Sequence, residues 1–533
     1  MKQGNGRLQG RENSMVTGAL ILSASALFVR MIGFVFRIYL SNAMGAEGMG
    51  VHMLIMSMYN VCVTLATSGM ATAMSRLAAE QLSLGSRANA RRILKRACVL
   101  ALLISCTVSV AVIALAEPIG TVILKDGRTV MALRILGLGL PFLSVSACLR
   151  GYFVSSRKAG NPAAGQVIEQ LVKMAFIMGL IGKYLPMGIE YGCVIVVLGM
   201  TIGEIACFLF SFWGILRERK YGARGERATV TGVNSMILAI IVPLSVTAYV
   251  RSFLRLAEDV LIMSGFKAFY GQDGMATGTY GMVKGMVMPL LTFPLMLLSS
   301  FVITLTPEIS RMNAAGNTRR LEATISRILE YTFIAGVLIV AVFMTFPYEI
   351  GTAVYKNAEV GEMLRRLSFL CPFMCVEMVA VGILNGLGQQ VSTMKYAIAD
   401  SLVRIAVIYF LIPQQGITGF VVMVVISNLL TSLLNFRRLM HIASVRLRLR
   451  SWVLRPALAA GASSQIVKVF TNYFPMSDVP LWGRLAVGIG LVCALYCVAL
   501  FALGSFRLRD FQWIWSRLKT SSKTPVATAD KSV

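Results

Sequence analysis

Long uninterrupted apolar runs recur along almost the whole chain, from Val16 to Leu503. Each is about as long as the roughly 20 apolar residues that a helix needs to cross a bilayer. Irregular chain and open sheet edges leave backbone groups without partners in lipid, so spanning segments must be helical. Because the runs leave no polar block large enough to fold separately, we expect an all-α polytopic membrane protein.

The composition agrees with a chain that is largely dissolved in lipid. Of the 533 residues, 56% are hydrophobic and only 14% are charged, whereas about 25% are charged in ordinary soluble domains. The pattern predicts fourteen transmembrane segments, at about 15–41, 51–75, 97–116, 129–149, 163–182, 191–216, 235–263, 286–310, 328–347, 367–386, 396–412, 417–436, 456–474 and 485–505.

The chain is strongly basic, with 51 Lys and Arg against 24 Asp and Glu and a net charge of +27. In a soluble protein this excess indicates nucleic acid, but in a polytopic membrane protein basic residues gather in the cytoplasmic loops. If the N-terminus is cytoplasmic, the inner tails and loops carry 34 basic residues, the outer loops carry 9, and the remaining 8 lie within segments. We therefore expect a plasma-membrane protein with both termini cytoplasmic and no nucleic-acid partner.

An internal repeat divides the segments into two groups. Ser75-Arg76 and Arg92-Ile93-Leu94 recur as Ser310-Arg311 and Arg327-Ile328-Leu329, each shifted by 235 positions. Each copy holds six segments, an even number, so both copies enter the membrane from the same side and are parallel. In transporters, parallel repeats are related by an axis along the membrane normal, and the substrate site lies between them near the midplane.

The repeat sets the expected organisation of the chain. It predicts a cytoplasmic N-terminal tail, two lobes of six spans, two appended spans and a basic cytoplasmic tail. The expected ranges are 1–14 for the first tail, 15–228 for the N-lobe, 229–445 for the C-lobe, 446–505 for the appended spans and 506–533 for the last tail.

Four arginines within the segments mark a candidate site. An Arg at the bilayer centre costs about 2.5 to 3.5 kcal/mol on insertion scales, so each should face a cavity or a partner. Arg30 and Arg37 share one face of the first segment, and Arg251 and Arg255 share one face of the seventh. A guanidinium without a local acid presents a fork of donors that suits phosphate or carboxylate, which favours an anion-binding central cavity.

Some of these cations have alternative explanations. Arg37 could reach the outer interface by snorkelling, and Arg255 could pair with Glu258 and Asp259 on its own helix face. Arg76, which closes the second segment, is either a cavity residue at the inner mouth or an ordinary inner-loop residue.

Acidic residues within the segments are candidates for coupling or structural roles. Glu169 with Lys173 and Asp400 with Arg404 have the i,i+4 spacing of intrahelical ion pairs. Glu204 and Glu377 are isolated acids, which would bind a coupling proton or cation or pair with a cavity Arg.

The cysteines and histidines show no chemical motif. The ten cysteines lie in or beside the hydrophobic segments and imply no disulfide framework. His52 and His441 lie near segment ends, beside no nucleophile or acid. We expect no metal, no cofactor and no catalytic residue.

Several motifs together resemble a known family. The chain is similar to the stage V sporulation protein B-like polysaccharide exporters of the multidrug, oligosaccharidyl-lipid and polysaccharide exporter superfamily, which includes the lipid II flippases. The resemblance spans about residues 15–440. The matching motifs are Arg30-Met31-Ile32-Gly33-Phe34, Gly45-Ala46-Glu47-Gly48, Ser75-Arg76-Leu77, Leu149-Arg150-Gly151-Tyr152-Phe153, Gln166-Val167-Ile168-Glu169-Gln170-Leu171-Val172, Pro307-Glu308-Ile309-Ser310 and Leu384-Asn385-Gly386-Leu387-Gly388.

The resemblance implies two six-helix lobes arranged as a V, with two extra helices that line a groove for a lipid tail. The family arginines of the first two spans carry over onto Arg30, Arg37 and Arg76. The eighth-span arginine of the lipid II branch has no aligned counterpart, although Lys284 is nearby and Arg251 or Arg255 would substitute for it.

The expected function is therefore a flippase rather than an enzyme. It moves a polyprenyl-diphosphate-linked saccharide, a peptidoglycan precursor or polysaccharide unit, from the inner to the outer leaflet by alternating access. The expected partners are this substrate, membrane lipid and envelope-synthesis proteins. A cation-coupled multidrug exporter of the same superfamily is the first alternative, and a membrane-embedded envelope glycosyltransferase is the second. The expected contacts to the diphosphate or headgroup are Arg30, Arg37, Arg76, Arg251 and Arg255.

The charge distribution makes a topology prediction that cysteine labelling can test. In a cysteine-free background, single cysteines in the 1–13 and 515–533 tails should resist an impermeant thiol reagent in intact cells, because the 34 to 9 split of basic residues places both tails inside. A cysteine in the 41–50 loop should react. Labelling of either tail from outside would contradict this orientation.

Overall fold

The structure is a computed structural model that describes residues 2–220, 230–316, 318–443, 450–473 and 480–504. These residues form eighteen α-helices and a few short 3-10 and π turns, with no strand among them. The helices are α1 (Lys2–Thr67), α2 (Met70–Ser83), α3 (Arg87–Ala114), α4 (Ala116–Pro118), α5 (Val130–Ser155), α6 (Gly160–Tyr184), α7 (Ile189–Lys220), α8 (Val233–Tyr270), α9 (Asp273–Gly281), α10 (Met288–Ala314), α11 (Thr318–Thr345), α12 (Pro347–Tyr355), α13 (Ala358–Leu367), α14 (Cys371–Gly386), α15 (Gln390–Gln415), α16 (Ile417–Ile442), α17 (Arg455–Tyr473) and α18 (Leu481–Ala502).

The all-α, multi-pass membrane fold is confirmed. Within the described residues, twelve helical stretches are long and apolar enough to cross a membrane. One of them, Ala24–Ser83, covers two predicted segments, since α1 is interrupted at Gly45, whose φ of 69° suits glycine. The twelve do not include α17, so the count of fourteen stays a prediction.

The eighth segment begins earlier than the sequence predicts. The stretch from Gly271 to Gly285 reads as a turn-rich loop, yet α9 begins at Asp273 and a π turn over Met282–Val287 joins it to α10. The glycines here do not break the helix. Small residues allow helices in lipid to approach closely, and Gly281 and Gly285 pack against α1.

The parallel repeat is visible in the packing of the two lobes. In the predicted N-lobe, α3 and α2 pack on α5, α6 packs on α7, α5 on α7 and α1 on α6. The predicted C-lobe repeats each contact in the same order: α11 and α10 pack on α14, α15 on α16, α14 on α16 and α8 on α15. We use the names N-lobe and C-lobe below for these two groups of helices.

The last two described helices pack on the C-lobe. Both α17 and α18 contact α11, and α18 also contacts α12. The hydroxyl of Tyr496 donates to the carbonyl of Ile334 at 2.9 Å, which joins α18 to the backbone of α11. This is the placement expected of two helices appended to the repeat.

At one end of the molecule, the two lobes meet backbone to backbone. A Cβ added to Gly281 of α9 would overlap the carbonyl oxygen of Ala46, and a Cβ on Gly50 would overlap the carbonyl of Thr277. Polar contacts reinforce this closure around its edge. Lys267 of α8 donates to the carbonyl of Lys125 in the N-lobe at 2.6 Å.

Replacing Gly281 should disrupt this closure. Gly281→Ala would place a methyl group against immovable backbone, and overpacking typically costs about 1 to 3 kcal/mol. We expect a cysteine at Met286, which is 2% exposed, to react faster with a water-soluble thiol reagent in this variant. Gly278→Ala is the matched control, because a Cβ there meets nothing within 4 Å. Equal labelling rates in the two variants would contradict the closure.

Candidate functional site

Helix α8 presents a lipid face and, on its opposite side, an interior face. Arg251 and Arg255 are exposed and lie about half a turn around the helix from its exposed apolar side chains. Between the two faces, Ser245 and Tyr249 donate to the carbonyls of Ser68 and Leu65, each at 3.3 Å, and so attach α8 to the N-lobe. The exposed apolar side chains of the lipid face are Val242, Val246, Val250 and Phe253.

The interior face of α8 changes from open to closed along the helix. Leu244, Arg251 and Arg255 are exposed, but Glu258 is only 4% exposed and Ile262 only 1%. The space in front of the arginines therefore opens towards the N-terminal end of α8 and closes at Glu258. We call this space the interior cavity.

Helix α1 contributes cations from the other lobe. Arg30 is exposed on the side opposite the apolar residues Phe28 and Val35, and its Nη1 donates to the hydroxyl of Ser299 on α10 at 3.1 Å. One turn further, Phe34 stacks on Phe293 of α10, with the ring centroids 4.2 Å apart. Arg30 thus faces the boundary between the lobes and has a neutral partner there.

Arg37 lies deeper than Arg30 on the same helix face. It is half-buried, within electrostatic reach of Tyr355 on α12 and of the buried His52 on the second half of α1. Arg37 therefore lies where α1 meets α12 of the C-lobe.

Arg76 and its repeat counterpart lie outside this group. Both Arg76 on α2 and Arg311 on α10 are exposed, and within the described part of the chain neither has an ion-pair partner. Arg311 is not among the residues predicted for the site, although it is related to Arg76 by the same shift of 235 positions that defines the repeat.

Three of the candidate acids form ion pairs, two of them with cations from other elements of the chain and one within α15. Arg404 of α15 lies 3.1 Å from Asp400, Nε to Oδ2, and 3.5 Å from Glu258, Nη1 to Oε2. Asp259 lies 2.8 Å from Nζ of Lys284. The Asp400–Arg404 pair is present as predicted. Arg255 does not pair with Glu258 or Asp259, because these two acids pair with Arg404 and Lys284 instead. Neither Arg251 nor Arg255 has an ion-pair partner among the described residues.

One of these paired acids, Asp259, also joins the two lobes. The hydroxyl of Ser57, on the N-lobe part of α1, donates to Oδ2 of Asp259 at 2.5 Å. Asp259 is therefore held by a C-lobe lysine on one oxygen and by an N-lobe serine on the other. This contact lies at the level where the interior face of α8 becomes buried.

The remaining acids do not pair with the interior arginines. Glu204 is 4% exposed, and the hydroxyl of Tyr59 donates to its Oε1 at 2.5 Å. Glu377 is half-buried near Thr431. The predicted Glu169–Lys173 pair is not formed within 4.0 Å in the described structure, where Lys173 lies in the field of both Glu169 and Glu204.

Neither metal ligands nor disulfides shape the site. All ten cysteines are free, and the described residues contain no group of three His, Cys, Asp or Glu side chains that could hold a metal ion.

A second feature is an apolar groove on the C-lobe. It lies between α11, α14 and α17 and has a volume of about 500 Å³. Phe333, Val337 and Phe373 form one side, Gly461 lies on the other, and Lys468 is the charged residue among those that line it. One appended helix thus forms a wall of the groove.

Two parallel six-helix lobes around an interior cavity define a multi-pass membrane transporter. The chain belongs to the polysaccharide biosynthesis protein family, whose model matches residues 15–313, and the MatE family model matches residues 261–410. The predicted resemblance to stage V sporulation protein B-like exporters is confirmed. The chain is 23% identical over 501 residues to Stage V sporulation protein B of Bacillus subtilis (strain 168), covering 91% of this chain and 96% of the relative.

Other comparisons agree. The chain is 21% identical over 346 residues to the Lipid II flippase MurJ of Bacillus subtilis (strain 168), covering 60% of this chain and 62% of the relative. Its fold is similar to that of the Lipid II flippase MurJ in an inward closed conformation, with a TM-score of 0.69 at 14% identity over 90% of this chain and 98% of that chain. The fold is also similar to that of an inward-facing multidrug resistance MATE transporter, with a TM-score of 0.61 at 15% identity over 78% of this chain and 94% of that chain.

The ion pairs predict different roles for two neighbouring cations. Arg404→Met would leave Glu258 and Asp400 buried without a cation, and breaking a buried pair typically costs about 3 to 5 kcal/mol. We expect a clear fall in the thermal unfolding temperature of the purified protein. Arg255→Met should change it little, since Arg255 has no acidic partner in the described structure.

A triple variant separates charge from packing. Adding Glu258→Gln and Asp400→Asn to Arg404→Met should restore most of the lost stability, because no buried charge then lacks a partner. If Arg255→Met destabilises the protein as much as Arg404→Met does, the assignment of the pairs is wrong.

Proposed function

We propose that this protein is a flippase for a polyprenyl-diphosphate-linked saccharide, a peptidoglycan precursor or polysaccharide unit. The diphosphate binds in the interior cavity to Arg30, Arg251 and Arg255, with Arg37 deeper in the site and Arg76 at its mouth. The prenyl tail stays in lipid. Envelope-synthesis proteins that make or use the substrate are its proposed partners.

The observation that carries this proposal is the separation of paired from unpaired charges. Glu258, Asp259 and Asp400 are engaged by Arg404 and Lys284, while Arg251 and Arg255 have no acidic partner in the described structure. The cavity therefore keeps free positive charge. A diphosphate supplies the matching negative charge and accepts several N–H donors at once.

A multidrug exporter of the same superfamily is the main alternative. Cationic drugs require acidic groups that are free to meet them. The two acids of α8, Glu258 and Asp259, are already paired with Arg404 and Lys284. Glu204 lies buried against Tyr59. The charge balance of the cavity therefore favours an anionic substrate. The similarity to a lipid II flippase favours a transporter over an envelope glycosyltransferase.

The apolar groove supports a lipid-linked substrate. Its walls are aromatic and aliphatic, as a prenyl chain requires, and its volume of about 500 Å³ suits part of such a chain. Together, the groove and the cavity provide separate places for the apolar tail and the charged head of one molecule.

The closed end of the molecule supports alternating access. Gly50 and Gly281 hold the lobes together at one end while the interior face of α8 is open at the other. If the termini are cytoplasmic, this is an inward-open arrangement. Rocking of the lobes would separate the glycine contact and expose the headgroup outside.

Substitution of the interior arginines tests the proposal. In liposomes that contain only this protein, Arg30→Ala and Arg251→Ala should each slow flipping of a fluorescent undecaprenyl-diphosphate saccharide about tenfold or more, because a hydrogen bond to a charged group is worth about 1.5 to 3 kcal/mol. Lysine at either position should rescue only part of the rate, since the planar fork is lost.

Arg134→Ala provides the control. Arg134 is an exposed cation on α5, 4.0 Å from Glu117, and its loss should leave flipping unchanged. Wild-type rates for both Arg30→Ala and Arg251→Ala at normal expression would exclude the cavity assignment. Transport of a cationic dye in preference to the saccharide would favour the multidrug alternative.

A further inference from the structure

A second polar pocket lies apart from both the interior cavity and the groove. It is formed where the turn between α5 and α6 meets the C-terminal end of α7, and it has a volume of about 430 Å³. Its lining includes Lys158, Asn161, Trp213, Arg217 and Glu218. None of these residues belongs to the site proposed for the flipped substrate.

One wall of the pocket combines an aromatic ring with a cation. The guanidinium of Arg217 lies over the ring of Trp213, 3.7 Å from its centroid. Trp213 is 50% exposed, and tryptophan and arginine at a helix end are typical of the level of the lipid headgroups. Stacking fixes the guanidinium plane and leaves its N–H edge free for an anion.

The lining of the pocket also includes two acceptors without donors. Nζ of Lys158 pairs with Oε1 of Glu218 at 2.5 Å, but Oε2 of Glu218 is buried without a hydrogen bond. Oδ1 of Asn161 is likewise buried and without a partner. Such buried acceptors cost stability unless a ligand or water supplies the donor.

A glycine brings these groups together. A Cβ on Gly214 would overlap Nδ2 of Asn161, so only glycine lets the asparagine lie directly on α7. Asn161 is thereby positioned within one pocket with Glu218 and Arg217. The pocket lining thus combines cationic donors with unused acceptors.

We propose that this pocket binds the headgroup of a phospholipid that carries both a phosphate and a primary ammonium, such as phosphatidylethanolamine. The phosphate accepts from Arg217, and the ammonium donates to Oε2 of Glu218 and Oδ1 of Asn161. A quaternary ammonium has no N–H to give these oxygens, and an anionic headgroup such as that of phosphatidylglycerol offers them only neutral hydroxyl donors, which bind a carboxylate more weakly than an ammonium does. The site belongs to the N-lobe alone and does not depend on the flipped substrate.

Lipid retention by the full-length purified protein tests this site. The protein is equilibrated in detergent with equal amounts of phosphatidylethanolamine, phosphatidylcholine and phosphatidylglycerol with matched acyl chains, and bound lipid is measured by native mass spectrometry. We expect the wild type to retain phosphatidylethanolamine about tenfold over phosphatidylcholine, the ratio given by one hydrogen bond to a charged group.

Variants of the pocket test which residues bind the ammonium and which bind the phosphate. Asn161→Leu and Glu218→Gln should each reduce the preference for phosphatidylethanolamine over phosphatidylcholine. Arg217→Gln should weaken retention of both lipids equally, because both carry the phosphate. Arg96→Gln, which removes an exposed cation of α3, is the matched control and should change nothing.

Each remaining outcome decides for or against the site. Equal retention of phosphatidylethanolamine and phosphatidylcholine by the wild type would overturn the proposal, as would a preference for phosphatidylglycerol that Arg217→Gln abolishes. If water-soluble glycerophosphoethanolamine displaces the bound phosphatidylethanolamine, the pocket recognises the same headgroup on a soluble molecule. If it does not, the natural ligand is a membrane lipid. Because no transport is measured, failure here leaves the proposed flippase activity untouched.

Discussion

Every charge in the membrane-spanning part of this protein needs either a partner or contact with water, and that requirement organises its interior. Buried ion pairs survive only when both members are present. Glu258, Asp259 and Asp400 satisfy this requirement by pairing with Arg404 and Lys284. The exposed arginines of α1 and α8 satisfy the requirement by facing the cavity, where water can reach them. The cavity is thus positive because its acids are already used.

The same charged cluster marks where the lobes close. Asp259 receives a hydrogen bond from Ser57 of the other lobe, at the level where the interior face of α8 becomes buried. Beyond it, Gly50 and Gly281 let the lobes touch through their backbones. Opening this end would therefore break a polar contact and a packing contact together, which favours two discrete arrangements over a gradual one.

The sequence predicted what depends on local pattern and failed where partners come from distant helices. Segment hydrophobicity and the repeated motifs were enough for the all-α fold and its parallel lobes. Helical spacing offered Arg255 as the partner of Glu258, but the structure gives that role to Arg404, which is 146 positions away. The glycine-rich stretch from Gly271 to Gly285 was wrongly predicted as a loop for the same reason, because Gly281 and Gly285 pack against α1, which is distant in the sequence.

The proposed lipid contacts differ in how they respond to motion. Arg30 and Arg251 belong to different lobes, so their separation changes whenever the lobes rock, and a diphosphate held between them senses the conformation. Trp213, Arg217 and Asn161 come from helices that pack within one lobe. A headgroup bound there moves with that lobe as a rigid unit. The protein would then keep the phospholipid in the N-lobe pocket bound while it releases the flipped substrate from the interior cavity, because only the cavity is divided between the two moving lobes.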